Sequence, residues 1–373
     1  MTGLPVWEDG TGSSLPSLRG EIAADICVVG LGGSGLSCIG ELQRLGASVV
    51  GLDAGIIGGG AAGRNGGFLL AGVAEFHHDA VAMYGRERAS ALYRRTLAEL
   101  DRMTAETPSA IRRTGSLRIA EDDIELADCA AQLACMQGDN LPAREYDGSE
   151  GCGLLIPTDG SFQPLLRCRL LARQAVANGA TLFENSRAVD IRGDRVATEH
   201  GSVRCRQVVV AVDGRLDTML PELAGRVRSA RLQMIATGPV PEVDIPRPVY
   251  RRWGYDYWQQ LPDRRIVLGG LRDQWEEVEW TDHAVVTDTL QAGLERVLRE
   301  RIGISAPITH RWAGIVGYTP SGLPIVDEVR PSVWAIGGYN GTGNVVGALC
   351  GRGVAQLALT GASELLTELR TDA

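Results

Sequence analysis

Five stretches predict an α/β protein of two domains, one on a parallel sheet with covering helices and one on a mainly antiparallel sheet (α+β). Residues 25–53, DICVVGLGGSGLSCIGELQRLGASVVGLD, read as strand, glycine turn, helix, strand and terminal acid. Val208–Ala211 and Trp334–Ile336 read as further buried strands, each running into a glycine-bearing turn. Arg231–Thr237 and Arg265–Gly270 read as strands of a second, antiparallel sheet. At 373 residues the chain exceeds what one core ordinarily supports, so two domains are expected.

In the first stretch Ile26–Val29 is the apolar run of a buried parallel strand. Gly30-Leu31-Gly32-Gly33-Ser34-Gly35 is a G-x-G-x-x-G turn. Leu36, Ile39, Leu42 and Leu45 recur at helical spacing, and Gly46 stands where a helix stops. Ser48–Leu52 is a second buried strand and ends on Asp53, with Ala54 following. Gly30 permits the tight turn, Gly32 lets backbone approach a pyrophosphate, and Gly35 lets the helix pack on the strand. The helix N-terminus turns unpaired N–H groups toward the phosphates, and Asp53 is placed for a ribose hydroxyl. These parts in register predict a Rossmann-like dinucleotide site. An acid at that strand tip favours an unphosphorylated ribose, hence FAD or NAD before NADP.

Charge and composition exclude several classes. Net charge is −9 with a pI near 5.2 and no basic block, so nucleic acid and anionic membrane surfaces are not expected partners. All 37 basic residues are arginine; there is no lysine. The eight cysteines form no C-x-x-C pair, and the five histidines form no ligand pattern, so no metal site is expected. Residues 1–24 lack a signal-peptide pattern, and no apolar stretch reaches membrane-spanning length. A cytoplasmic protein is expected.

Residues 1–20, rich in Gly, Ser and Pro, read as an extended arm across the surface. Residues 54–72 are too rich in glycine for a regular element and suit close backbone approach to a ligand. Within them Ala62-Gly63-Arg64-Asn65-Gly66-Gly67 follows directly on the second strand. Asp79–Thr107 is helical in pattern, Ser116–Ile119 alternates as a strand, and Ile124–Gln137 is again helical. Pro164–Asn178 reads as a helix with proline in its first turn. Thr181–Glu184, Ala188–Arg192 and Val196–Glu199 read as short strands. Between Tyr250 and Gln260 five aromatic residues crowd into eleven positions, and strand alternation puts Tyr255 and Tyr257 on one side with Asp256 and Trp258 on the other. They form either a substrate wall or core filling. Near the C-terminus Gly337-Gly338-Tyr339-Asn340-Gly341 is a turn before a helix over 345–359.

The glycine turn, the acid ending the next strand, G-R-N-G-G at 63–67 and the C-terminal glycine turn together resemble the FAD-dependent D-amino-acid oxidase superfamily. The likeness is strongest to the branch of γ-glutamylputrescine oxidase and glycine oxidase-like enzymes. It implies a glutathione-reductase-like nucleotide domain from residues 1–78, 151–225 and 309–373, and a substrate domain from 79–150 and 226–308. It implies FAD, with residues 62–67 running past the pyrophosphate to the isoalloxazine and backbone near Val189 holding the adenine. Ala211 is placed beside the cofactor, and Gly338, Asn340, Gly341, Thr342 and Gly343 at the flavin N1–C2=O edge. Relatives often have Ser at the position of Ala62 and His at that of Thr342. Relatives that tether FAD use a cysteine in the stretch matching 314–317; none is present, so non-covalent FAD is implied. No arginine occupies that stretch to meet a substrate carboxylate, leaving Arg251 or Arg252 as candidates, or an amine without a carboxylate as substrate.

The implied reaction is oxidation of a C–N bond in a small amine or amino acid, with O₂ or another acceptor taking the electrons. Relatives activate O₂ with a lysine that this chain does not have. A dehydrogenase subunit working with a partner remains open, as does a nicotinamide-dependent dehydrogenase that shares only the first motif.

Overall fold

In a computed structural model that describes residues 3–8, 10, 12 and 14–369, a six-stranded sheet runs through the nucleotide half. Its order is Thr181–Phe183, Val49–Leu52, Ile26–Val29, Gln207–Val210, Val333–Gly337 and Ile325–Arg330. All neighbours are parallel except the last pair. Strand alternation divides the first strand between two cores. Ile26 and Val28 join Leu36, Ile39 and Leu42 under the helices, while Cys27 and Val29 join Val208 and Val210 on the other face. Helices Gly33–Arg44, Pro164–Ala177 and Val346–Thr360 contribute to the first core. A four-stranded sheet of Gly20–Ala23, Gly201–Arg204, Arg195–Thr198 and Ala188–Arg192 contributes to the second. Both faces of the parallel sheet are therefore covered, which is why its strands read as unbroken apolar runs.

The helix Gly33–Arg44 packs closely against its own preceding turn and against the helix Val346–Thr360, and both contacts need glycine. A Cβ on Gly35 would stand 1.9 Å from the Gly30 carbonyl oxygen, and one on Gly351 would stand 2.1 Å from that of Ser34. Real Cβ atoms do not approach so closely, so these two helices meet through a glycine contact.

An eight-stranded sheet forms the second half. Its order is Ile308–Tyr318, Arg228–Pro239, Arg265–Gly270, Asp256–Gln260, Val249–Arg251, Ser116–Ile119, Gly151–Ile156 and Arg144–Gly148. Only Val249–Arg251 with Ser116–Ile119 is parallel. Ile266 and Leu268 pack beneath the helix Asp288–Arg296, while Val267 faces the other way with Trp312 and Met234.

Several expectations are corrected. Gly151–Ile156 and Ile308–Tyr318 both hydrogen-bond into the eight-stranded sheet, so the divisions expected at 150/151 and 308/309 do not coincide with the change of sheet. The helical pattern over Asp79–Thr107 is two helices, His77–Tyr84 and Arg86–Glu106, broken at Gly85 with φ +83°. The aromatic stretch is a hairpin rather than one strand, with Arg252 and Trp253 at positive φ in its turn. The N-terminal arm does not simply lie on the surface: Trp7 and Leu18 are only 3% and 2% exposed. Gly201–Arg204 is a strand that the sequence pattern did not show.

Candidate active site

The glycine turn builds one end of a channel. Gly32 caps the helix Gly33–Arg44 without a side-chain bond, leaving the N–H groups at Gly33 and Ser34 outside the helix's own ladder. Gly30 has φ +100°, and a Cβ there would stand 2.5 Å from the Ala211 carbonyl oxygen, so the turn and Ala211 press together. Asp53 accepts the Leu31 N–H and the Gly55 N–H, each at 2.8 Å. Burial pushes its pKa up against the pull of those two bonds. Ala54 beside it is exposed. The ladder slips between Ala188 and Asp190, so Val189 stands in a bulge, outside regular pairing and 63% exposed.

Arg167 adds a cation that sequence inspection did not single out. Its side chain is 2% exposed, and Nη1 lies 3.9 Å from where a Cβ on Gly33 would be. Nε and Nη2 have no hydrogen-bond partner, and the Glu106 carboxylate is 3.8 Å from Nη2. A buried guanidinium beside the positive end of a helix is electrostatically unfavourable until an anion joins them.

The loop 61–67 is clamped from behind by side chains distant in sequence. The Trp312 Nε1–H donates to the Arg64 carbonyl at 2.8 Å, and the Trp7 Nε1–H to that of Asn65 at 2.8 Å. Gln259 Nε2 donates to the carbonyls of Gly66 at 2.5 Å and Gly67 at 3.1 Å. In a trans peptide C=O and N–H point in opposite directions, so the N–H groups of Asn65 and Gly66 face away from these clamps. The Asn65 amide donates to Ala61 and Ala62 carbonyls and accepts the Gly67 N–H. Ala62 Cβ abuts the first turn, 3.2 Å from where a Cβ on Gly32 would be.

Opposite lies the C-terminal turn. Asp213, half-buried and at φ +48°, accepts the N–H groups of Gly338 at 2.9 Å and Gly317 at 3.1 Å. Burial pushes its pKa up to about 6 even so. Asn340 adopts φ +53° and accepts the Thr319 N–H, while the Thr342 hydroxyl donates to the Tyr339 carbonyl. A Cβ on Gly343 would meet the Tyr339 ring at 2.9 Å. Asn344 ties the turn to the loop, donating to the Phe68 carbonyl at 2.8 Å and to Asn65 Oδ1 at 3.3 Å.

Between loop and turn opens a cavity of about 560 Å³, which continues into the second half. Phe68 and Tyr250 stack at 5.0 Å, and Tyr257 meets Tyr250 at 6.0 Å. Tyr255 and Tyr257 both line it, as does Arg272. Arg251 and Arg252 do not line it: Arg251 pairs with Glu121, and Arg252 with Asp256 and Asp273. Their expected hold on a substrate carboxylate is therefore not supported by the geometry, because neighbouring acids already occupy both. Asp159 does line the cavity, accepting the Ser116 hydroxyl at 2.6 Å and the Ala71 N–H at 3.0 Å. Burial pushes its pKa up to about 7.

Comparison with known proteins decides the family: residues 25–357 match the one described as FAD dependent oxidoreductase (DAO). The chain belongs to it. A probable oxidoreductase OrdL from Rhizobium meliloti is 28% identical over 94% of this chain and 86% of its own length. Gamma-glutamylputrescine oxidoreductase of Escherichia coli is 28% identical over 91% of this chain and 85% of its own length. Among solved structures, an L-proline dehydrogenase from P. horikoshii aligns with TM-score 0.77 at 19% identity, covering 95% of this chain and 96% of that one. A glycine oxidase from Geobacillus kaustophilus gives 0.73 at 20% identity over 94% and 99%.

As in its family, the cofactor of this oxidoreductase is FAD, and the residues fit it. The glycine cradle, the helix N-terminus and Arg167 suit a pyrophosphate, Asp53 a ribose, and the loop and turn the flavin. Trp7, Trp312, Gln259, Arg167 and Asp213 escaped sequence reasoning because their partners lie far along the chain; only the unusual aromatic density around Gln259 was a signal. His77, Cys135 and Asp139 also cluster, but the His77 imidazole bonds to Asp139 at 2.7 Å and Arg86 pairs with the same carboxylate, which is an ion-pair arrangement.

Proposed function

We propose that this oxidoreductase oxidises the C–N bond of a small amine or amino acid to an imine, which water hydrolyses to a carbonyl compound and ammonia or an amine. FAD, when bound, supplies the acceptor for the hydride lost from the α-carbon. The observation that carries the reading is the unbroken cavity from loop 61–67 and turn 340–342 to the aromatic walls of Phe68, Tyr250 and Tyr257. Those walls orient the substrate's carbon skeleton and displace water from it, and positioning of this kind supplies much of a hydride-transfer rate. The reacting nitrogen must be neutral, and an apolar, aromatic surround favours its neutral form.

A second reading concerns the acceptor. With no lysine in the sequence, an oxidase would need another cation, such as an arginine or the protonated product, and a dehydrogenase passing electrons to a quinone or a protein acceptor competes with it. All eight cysteines are free thiols, which supports a reducing, cytoplasmic setting, and no helix among the described residues is long and apolar enough to cross a membrane.

The test is the flavin absorption of purified protein before and after anaerobic addition of a panel of amines and amino acids. Bleaching by one class identifies the bond oxidised. Flavin bands that no member of the panel bleaches refute C–N oxidation. Turnover with O₂ against an artificial acceptor then separates oxidase from dehydrogenase.

A further inference from the structure

We propose that Arg272 receives a carboxylate of the substrate, so that the substrate class is one carrying both an oxidisable C–N bond and a carboxylate. This rests on the C–N reading above and narrows it.

The other arginines around the cavity are already engaged. Arg118 bonds to Asp128 and Gln132. Arg64 donates Nε and Nη2 to the carbonyls of Ala313 and Gly3. Arg272 differs. It lines the cavity, and its Nη1 is buried without a hydrogen-bond partner. Its one carboxylate neighbour among the described residues, Glu276, is 3.8 Å away and more than half exposed. That separation is too long for a hydrogen bond.

What holds Arg272 instead is aromatic. Its guanidinium lies 4.8 Å from the Tyr318 ring centroid and 4.9 Å from that of Trp280, and those rings meet edge to face at 5.5 Å. Ring contacts of this kind, with a hydrogen bond to the Tyr318 side chain, hold the guanidinium in place while no carboxylate cancels its charge and Nη1 stays unpartnered. A planar cation so held is pre-shaped for a bidentate carboxylate.

The backbone aims it. Leu271 is a buried residue in the left-handed region, φ +62°, directly after Gly270 at φ +138°. A Cβ on Gly270 would stand 2.1 Å from the Tyr255 carbonyl oxygen, and the same carbonyl accepts the Leu271 N–H at 2.7 Å. A leucine held in that conformation costs free energy, which is tolerated where the surroundings demand a particular side-chain direction. The Tyr318 hydroxyl beneath Arg272 lies 3.7 Å from where a Cβ on Gly341 would be, so the cation is one ring away from the flavin turn. The cavity's acids are engaged elsewhere: Asp159 with Ser116 and Ala71, Glu75 with the Tyr84 hydroxyl.

The test titrates FAD-loaded protein with phenylacetate and with its neutral counterpart phenylacetamide, reading the shift of the flavin absorption bands. The expected result is phenylacetate binding at least 10-fold tighter than phenylacetamide, with Arg272→Gln weakening phenylacetate by about 10- to 100-fold and leaving phenylacetamide unchanged. Arg272→Lys should recover part of the loss, since charge survives but the bidentate fork does not. Equal affinity for the two ligands, or full phenylacetate affinity in Arg272→Gln, overturns the proposal. Should Arg272→Gln not fold, the wild-type pair of titrations and Arg272→Lys still decide. If no amine or amino acid bleaches the flavin while phenylacetate binds through Arg272, the C–N reading falls and the anion site stands. If amines without a carboxylate bleach wild type and Arg272→Gln equally well and phenylacetate does not bind, the anion site falls and the C–N reading stands.

Discussion

The cofactor channel and the substrate cavity adjoin, yet they are built from different material. The channel is backbone: glycines that exclude any side chain, a helix N-terminus, and peptide groups held by Asp53, Asp213, Trp7, Trp312 and Gln259. The cavity is side chain: Phe68 stacked on Tyr250 with Tyr257 edge-on, an arginine held against aromatic rings, and a buried acid. Backbone recognition tolerates almost no change because the groups that bind are the ones that fold. Side-chain recognition can be altered residue by residue without disturbing the sheets that carry it.

Gly35→Ala should break the channel most severely. The new methyl would overlap the Gly30 carbonyl at 1.9 Å, and we expect FAD affinity to fall by more than about 100-fold by fluorescence titration. Near-normal affinity would mean that the turn can open and that the backbone description is wrong. Asn65→Ala should follow, at about 30-fold, because one side chain serves the Ala61 and Ala62 carbonyls, the Gly67 N–H and the Asn344 amide. Arg167→Leu should cost about 10-fold for FAD and nothing for riboflavin, which has no pyrophosphate. Equal losses for both ligands would instead make Arg167 a purely structural partner of Glu106.

Asp159→Asn sharpens the other side of the comparison. A carboxyl with a folded pKa of about 7, above its ordinary value of 3.8, keeps its proton in the native state across a range where the unfolded chain has lost it. Stability is therefore lost as pH rises through that window, and the whole penalty is present above it. An asparagine can accept the Ala71 N–H and donate to the Ser116 hydroxyl, so it keeps both contacts without ionising. We expect the variant to gain about 1 kcal/mol or more on wild type between pH 5 and pH 8, and to lose that advantage near pH 4, by thermal unfolding at each pH. A pH-independent difference would show that Asp159 ionises normally.

The channel was largely legible in the sequence. Each of its demands is local: a tight turn needs Gly30, close helix packing needs Gly35, a strand tip needs Asp53, and these occur within thirty consecutive residues of a recognisable pattern. The loop at 62–67 was legible for the same reason, and the stop at Gly46 and start at Pro164 followed from ordinary helix signals. The cavity was not. Arg251 looked available because its acid, Glu121, lies more than a hundred positions away, and Arg252 because a hairpin turn is what brings Asp256 and Asp273 against it, whereas Arg272 sat unremarked at the end of a strand. Trp7 was taken for part of a surface arm, yet it reaches Asn65 fifty-eight positions on.

By itself the sequence determined the parallel sheet with its glycine turn, since these rest on short-range periodicity and on backbone shapes that few residues can adopt, and the resemblance carried by those motifs implied the family's cofactor. Only the tertiary structure decided which charges are cancelled and which are left free to meet a ligand. Cancellation depends on distances between side chains that folding brings together from separate sheets, and nothing in the local order of residues encodes those distances.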